Sequence, residues 1–247
     1  MKIELRVKIK EYFKNEFADL ILEKLNTGHK LSKFKINPFI LIALSSGVFG
    51  KLTSKNMAKA LLYPRVFGTS ISTTFGAKMQ KLCVDYLGAK ASGVDGIDIE
   101  FEDRVDRKQI MMQLKAGPNT LNKDDVRPIL AKMTTAWRLL QMNGAGENMP
   151  QFAIGITYGT VDEISGHYKA IRSSSIGGQI NVLIYSGQDF WHRLTGDENF
   201  YSEMISIFFE LFEEVDYSDL LETDLKNLTA SIEKKYFTGG GFDITKI

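Results

Sequence analysis

The sequence is poor in the residues that build disulfides and zinc sites. Its only cysteine is Cys83, and it has 3 histidines among 247 residues. A single thiol excludes an intrachain disulfide and is typical of a reducing compartment, so we expect a cytoplasmic protein. One cysteine and scattered histidines do not form an ordinary zinc site. Any metal is therefore expected to be a hard cation held by oxygen ligands.

Long apolar runs are also absent. The chain has no stretch of about eighteen apolar residues, the length that a membrane-spanning helix needs. Residues 1–6 lack the apolar core of a signal peptide. We therefore expect no membrane partner. The apolar fraction of 44% is nevertheless ample for a folded core.

Charge is balanced over the whole chain but not along it. The formal net charge is +1. Lys24 to Lys90 contains eleven lysines and arginines and a single acid, Asp85, whereas Leu194 to Leu225 contains ten acids and no base. This asymmetry indicates a basic part that faces DNA and an acidic part that faces solvent. Ordinary surface charge is the alternative.

Apolar spacing predicts helices on either side of a small sheet. The helices are predicted over residues 5–27, 38–47, 53–62, 76–88, 123–141, 189–194 and 198–215. Tyr63-Pro64 is expected to end the third of these, and residues 68–76 are expected to form a polar loop. Strands are predicted over residues 152–158 and 180–185, after a hairpin near residue 100. This order of elements predicts one α/β sandwich with a mixed sheet.

The predicted hairpin carries the most informative pattern. Ile97, Ile99 and Phe101 alternate with polar residues and are expected to share one face of a strand. Residues 110–115 alternate in the same way, and residues 103–107 suit a hairpin turn.

The polar positions of the two strands are acids, an amide and a lysine. Pairing the strands is expected to bring Asp98, Glu100, Gln113 and Lys115 together on one sheet face. Two carboxylates, an amide oxygen and an ammonium group can bind a divalent metal, a water and a phosphate. Nuclease chemistry needs these groups together.

The spacing from Asp98 to Gln113-Leu114-Lys115 resembles the core of the PD-(D/E)XK nuclease superfamily. In that superfamily an acid on one strand and an acid-x-lysine on the next build the metal site. Four longer segments resemble type II restriction endonucleases of the PmeII-like group. They are Ala60–Gly76, Gly96–Phe101, Gln113–Thr120 and Phe190–Asp197.

The resemblance implies a homodimeric, Mg²⁺-dependent deoxyribonuclease that cuts both strands of a short palindromic DNA sequence. It implies an α/β fold with a PD-(D/E)XK nuclease core, in which helices flank a central mixed β-sheet. Residues 1–247 are expected to form a single restriction-endonuclease-like domain. Residues 1–90 would be its helical, basic part for DNA binding and dimerisation, and residues 91–190 its catalytic sheet core. A cognate DNA methyltransferase is expected in the same system.

The resemblance also assigns roles to the four polar residues. Asp98 is expected to hold the metal, and Lys115 to contact the phosphate and position the attacking water. Gln113 stands where the superfamily has an acid, and Glu100 can supply the missing carboxylate. A solvent-facing strand would carry the same residues without any of these roles. Double-stranded DNA is the expected partner, with contacts predicted for Lys51, Lys55, Arg65, Ser70, Ser72, Thr73, Thr74, Asn119 and Thr120.

Two alternatives remain at this point. One is a structure-selective or repair nuclease with the same core. The other is a DNA-binding protein whose catalysis is weakened, because Gln113 brings no charge. For the segment after Lys115, a turn that caps the next helix is as plausible as DNA contact.

Overall fold

A computed structural model describes residues 1–246, without the side chains of residues 67, 69–73 and 147. The chain divides into two compact units. Met1–Tyr12 and Phe75–Phe209 form the first, here called the sheet unit. Phe13–Thr74 and the residues from Glu210 onward form the second, here called the helical unit. The expectation of one restriction-endonuclease-like domain stays a prediction.

Helices precede and follow the sheet, as the apolar spacing predicted. Turns of π-helix join α1 to α2 at Lys14–Ala18, extend α3 at Ala43–Val48 and join α4 to α5 at Arg65–Thr69. The α-helices are α1 (Ile3–Phe13), α2 (Asp19–Gly28), α3 (Pro38–Ile42), α4 (Ser54–Pro64), α5 (Ser70–Tyr86), α6 (Lys123–Met142), α7 (Gly166–Arg172), α8 (Gln188–Thr195), α9 (Phe200–Glu213) and α10 (Ser218–Tyr236). No described helix is long and apolar enough to span a membrane.

The central sheet has five strands and is mixed, as predicted. The strands of the chain are β1 (Lys90–Ala91), β2 (Ile99–Glu102), β3 (Gln109–Lys115), β4 (Gln151–Ile156), β5 (Ser175–Ile176), β6 (Ile180–Asn181), β7 (Leu183–Ser186), β8 (Phe237–Thr238) and β9 (Gly241–Phe242). The order in the sheet is β1-β2-β3-β4-β7. The first three strands are antiparallel to one another, and β4 and β7 continue the sheet parallel to β3.

Side-chain caps explain where three of the helices begin. The Asn37 side chain accepts hydrogen bonds from two backbone N–H groups of α3, and Thr53 accepts one from α4. Asn122 caps α6 in a reciprocal arrangement with Asp125. Each cap satisfies N–H groups that have no partner inside the helix. The turn after β3 therefore does lead into a capped helix.

Apolar side chains cover both faces of the sheet. Met111 and Met112 are neighbours on β3, point to opposite faces and are both buried. Met111 belongs to a core cluster with Phe152 of β4 and Trp137 of α6. Helix α6 thus covers the Met111 face.

One element of the predicted alternation is wrong. Ile97 lies in the cluster on the Met111 face, whereas Ile99 pairs with Met112 and lies on the other face. The reason is a β-bulge. The Asp98 N–H donates to the carbonyl oxygen of Met112 at 2.9 Å, although Ile99 is the register partner of Met112. Asp98 and Ile99 then both lie opposite Met112. This interrupts the alternation of side chains along β2 and changes the direction of the Asp98 side chain.

Two predicted boundaries also differ from the structure. The helix that was expected to stop at Tyr63-Pro64 includes Pro64 and runs on through a π-helical turn into α5, so the predicted loop over residues 68–76 is wrong. A widened turn accommodates the proline, which has no N–H to donate. The strand predicted over residues 180–185 is split at Val182, which is buried, into β6 and β7 of different sheets.

The helical unit has its own core. Helix α10 packs against α4 and α2. Met57 and Leu62 of α4 form a buried cluster with Leu228 and Ile232 of α10 and with Leu25 of α2. The acidic C-terminal part of the chain is therefore also part of this core.

One residue of the acidic stretch is not on a solvent-facing surface. Asp224 of α10 is only 5% exposed. One of its oxygens lies 3.0 Å from the ring nitrogen Nδ1 of His29. The other lies 2.5 Å from where a Cβ on Gly28 would be, so only glycine fits at that position of α2.

Candidate active site

The bulge in β2 directs Asp98 toward the middle of the predicted catalytic strand. Oδ2 of Asp98 accepts a hydrogen bond of 2.7 Å from the backbone N–H of Leu114. In a regular ladder a carbonyl of β2 would take this N–H; here the Asp98 carboxylate takes its place. Leu114 is the residue between Gln113 and Lys115, so one hydrogen bond places the carboxylate beside both.

Glu100 joins this group through the strand register. Glu100 pairs with Met111, and side chains two residues apart on β3 share a face. Glu100, Gln113 and Lys115 therefore lie on the same face, and all three are half-buried, as is Asp98. The register thus places Glu100 on the face that the sequence predicted for it.

The polar atoms of the site differ in how the protein satisfies them. Glu100 accepts a hydrogen bond from Ser92, and Asp98 accepts the one from Leu114. The side-chain oxygen Oε1 of Gln113 is buried and has no hydrogen-bond partner among the described residues. No described residue forms an ion pair with the Lys115 ammonium group.

These groups fit a hard cation. An unpartnered, buried amide oxygen beside a carboxylate is the type of donor that Mg²⁺ or Ca²⁺ takes from proteins. Among the described residues no group of three His, Cys, Asp or Glu side chains can hold a metal ion. Any metal bound here would therefore rely on two carboxylates and the neutral oxygen of Gln113.

The turn after β3 is fixed by internal contacts. The hydroxyl of Thr120 lies 2.9 Å from both the carbonyl oxygen of Gly117 and the hydroxyl of Tyr168. Burial raises the pKa of Tyr168 to about 12, so this hydroxyl stays protonated at neutral pH. Asn119 and Thr120 are both exposed, but the Thr120 hydroxyl is engaged within the protein.

Gly117 makes room for a tyrosine beside the catalytic strand. A Cβ at Gly117 would lie 2.3 Å from the Tyr158 hydroxyl oxygen. Tyr158 is 46% exposed, and its ring meets Phe75 edge-on at 6.3 Å. Its neighbour Thr157 donates its N–H to the carbonyl oxygen of Lys115 at 3.1 Å. An exposed tyrosine therefore lies next to the end of β3, a feature that the sequence pattern did not identify.

Two of the predicted DNA-contacting lysines are exposed on the helical unit. Lys51 precedes α4 and Lys55 lies in its first turn. Lys55 lines a cleft of about 400 Å³ with Glu222 and Lys226 of α10. Lys55 therefore has an acidic side chain in its cleft, whereas Lys51 does not line that cleft.

Arg65, another predicted DNA-contacting residue, makes contacts within the protein. Arg65 donates to the carbonyl oxygen of Lys33 at 3.1 Å, and its guanidinium group lies over the ring of Phe34 at 5.1 Å. Thr74 is half-buried in α5. The side chains of Ser70, Ser72 and Thr73 lie outside the described residues.

An ionic cluster that the sequence did not predict anchors the hairpin turn. Arg193 of α8 donates to Asp103 and Asp106 of the turn, each at 2.7 Å, and to Asp189 at 3.1 Å. Its guanidinium group lies 4.4 Å from the centre of the Tyr185 ring. Burial lowers the pKa of Arg193, but the hydrogen bonds that it donates to the two turn aspartates outweigh burial and raise the pKa. Arg193 therefore stays charged and ties the β2–β3 turn to α8.

Comparison with known proteins identifies the family. No curated protein matches the chain. The sequence model of the type II restriction endonuclease EcoO109I family matches residues 3–214, which is most of the chain. The match includes β2, β3 and all four residues of the candidate site. The chain therefore belongs to the type II restriction endonuclease EcoO109I family and is a site-specific deoxyribonuclease, a phosphodiester hydrolase.

Proposed function

We propose that the protein is a Mg²⁺-dependent restriction endonuclease with a PD-(D/E)XK core that cuts both strands of a short palindromic DNA sequence. The hydrogen bond from Leu114 to Asp98 is the observation that carries this proposal, because it sets the carboxylate between Gln113 and Lys115. Asp98 and Lys115 then correspond to the acid and the lysine of the superfamily pattern, and Gln113 stands in place of its second acid.

The residues divide the chemistry between them. Asp98, Glu100 and Gln113 would hold the metal through oxygen atoms. When bound, Mg²⁺ supplies Lewis-acid stabilisation of the phosphate charge. Lys115 contacts a phosphate oxygen and positions the attacking water. The water oxygen forms a bond to phosphorus, the bond to the 3′ oxygen breaks, and the products carry a 5′-phosphate and a 3′-hydroxyl.

The proposal extends to assembly and biological setting. A palindromic target is most simply contacted by a two-fold dimer, with one half-site for each subunit. The four segments shared with the PmeII-like group support placing the protein in that group. A cytoplasmic enzyme of this kind needs a cognate DNA methyltransferase, because unmodified host DNA would carry the same target sequence.

Digestion of phage DNA tests the activity. The purified protein with MgCl₂ should produce discrete fragments, and sequencing of their ends should show one recurrent target. Cleavage only at branched or damaged DNA would indicate a structure-selective nuclease instead. Binding without cleavage at any divalent-cation concentration would indicate a DNA-binding protein with lost catalysis, which the neutral Gln113 makes the main competing function.

Substitutions test the site. Asp98→Ala and Lys115→Ala should each reduce cleavage by about a hundredfold or more, since each removes a group that acts on the reacting phosphate. DNA binding in Ca²⁺ should remain. Asp95→Ala and Lys108→Ala are matched controls, because both residues are exposed and lie on the same hairpin region. Near-normal cleavage by either site variant would remove that residue from the proposed mechanism.

A further inference from the structure

Ser92 contacts both residues that supply the carboxylates of the proposed metal site. Its backbone N–H donates to the carbonyl oxygen of Asp98 at 3.2 Å. Its hydroxyl donates to Oε1 of Glu100 at 2.5 Å. The same hydroxyl oxygen accepts the N–H of Val94 at 3.1 Å, so the single hydroxyl proton is directed at Glu100.

The hydrogen bond changes where the Glu100 carboxylate lies. Lys90 pairs with Glu100 and Ala91 with Ile99, which places Ser92 opposite Asp98. Positions two residues apart on one strand face are about 7 Å apart. By bonding to Ser92, the long side chain of Glu100 extends along β2 from its own row toward the row of Asp98, on the β1 side of the strand. No described residue donates to Oε2, the other oxygen of Glu100.

We propose that Ser92 is a positioning residue that holds the Glu100 carboxylate beside Asp98 as the second charged ligand. The inference rests on the proposed function. Gln113 brings no charge, so the site needs a second carboxylate from elsewhere. A glutamate has three rotatable bonds, and an unrestrained one on a half-exposed strand would reach solvent. One hydroxyl removes that freedom and leaves Oε2 for the cation.

A metal titration without DNA tests the inference. Binding of Mn²⁺ can be followed from the EPR signal of the free ion. Ser92→Ala should weaken Mn²⁺ binding about tenfold, the usual effect of removing a hydrogen-bond partner of a metal ligand. Ser92→Thr keeps the hydroxyl and should bind as the wild type does. Ser173→Ala is the matched control, because it removes a serine hydroxyl bonded only to the backbone of α7.

Cleavage assays and a double variant separate positioning from a general structural effect. Ser92→Ala should raise the Mg²⁺ concentration for half-maximal cleavage by the same factor, and it should lower the melting temperature in EDTA by only about 1–6 °C, the effect of a lost hydrogen bond. In a Glu100→Gln background, Ser92→Ala should weaken Mn²⁺ binding no further. Wild-type Mn²⁺ affinity for Ser92→Ala, or an equal further loss in the double variant, would overturn the role of Ser92.

The proposed function and the role of Ser92 can be refuted separately. If the wild-type protein neither binds Mn²⁺ nor cleaves with a divalent cation, the proposed function fails and the role of Ser92 fails with it. If the wild type is Mg²⁺-dependent and Ser92→Ala matches it in both assays, only the role of Ser92 fails.

Discussion

Replacing Gln113 by methionine should make the metal-free protein more stable and the enzyme worse. The buried Oε1 of Gln113 has no hydrogen-bond partner among the described residues. A buried acceptor without a partner costs about 1–3 kcal/mol of folding free energy. Methionine has nearly the same length and no such oxygen, and the register partner of Gln113 on β4, Ile154, offers it an apolar neighbour. Gln113→Met should therefore raise the free energy of unfolding by about 1–3 kcal/mol.

Thermal unfolding in EDTA measures the gain. For a chain of this size, each kcal/mol shifts the melting temperature by about 2–4 °C, so an increase of roughly 2–12 °C is expected. The same variant should need more Mg²⁺ for cleavage, because it has lost a proposed metal ligand. A residue that lowers the stability of the protein but raises its activity is explained by function rather than by folding.

Gln151 provides a matched control within the same sheet. Its Oε1 is also buried without a partner among the described residues, but it lies on β4 opposite Ile110, at the far end of β3. Gln151→Met should stabilise the protein by a similar amount and leave cleavage unchanged. If Gln113→Met cleaves at the wild-type Mg²⁺ concentration, Gln113 is not a metal ligand. If it lowers the melting temperature while Gln151→Met raises it, the Gln113 oxygen has a partner in solution and the reasoning is wrong.

Three other substitutions test the surrounding structure. Arg193→Met should lower the free energy of unfolding in urea by about 3–5 kcal/mol, because it leaves the fully buried Asp103 without its charged partner; a loss under about 1 kcal/mol would contradict the importance of this pair. Gly117→Ala should displace the Tyr158 ring into solvent and reduce cleavage while costing about 1–3 kcal/mol of stability, and unaltered cleavage would show that the ring position is irrelevant. Lys51→Glu should lower the salt dependence of DNA binding, the slope of log K against log salt, by about 1 or more, and an unchanged slope would place the phosphate contacts elsewhere.

Local sequence patterns were sufficient for the hairpin and for the starts of the helices with side-chain caps. The period-two alternation of residues 110–115 and the turn at residues 103–107 depend only on neighbours along the chain, and the register of β2 and β3 agrees with them. Asn37 and Thr53 cap their helices through bonds that span two or three residues. Such features are predictable because the interacting groups are close in sequence.

The bulge at Asp98 was not predictable in this way. It depends on a hydrogen bond from Leu114, which is 16 residues further along the chain. The alternation rule consequently placed Ile97 on the wrong face. The same rule put Glu100, Gln113 and Lys115 on one face, as the register does. The sequence therefore predicted which of these residues share a face, but the geometry that aims Asp98 came only from the structure.

The helical unit shows a second limit of local patterns. Composition placed the acidic residues 194–225 in solvent, yet Asp224 is buried against Gly28 and His29. The contact joins α2 and α10, which are about as far apart in the chain as two helices of this protein can be. No periodicity within either helix indicates a partner at that distance, so only the packing of the unit reveals it.

The neutral Gln113 does not change the chemistry of the proposed site. It means only that Glu100, rather than residue 113, supplies the second carboxylate. Mg²⁺ in phosphoryl-transfer enzymes is usually held by one or two carboxylates together with substrate phosphates. Asp98 and Glu100 meet that number when Ser92 holds Glu100 in place. A third carboxylate would add repulsion between like charges in the metal-free protein, whereas the amide oxygen of Gln113 adds a donor without charge. In the proposed site a neutral ligand would lower the metal affinity and make the DNA phosphate an important additional ligand, so metal binding and DNA binding should favour each other.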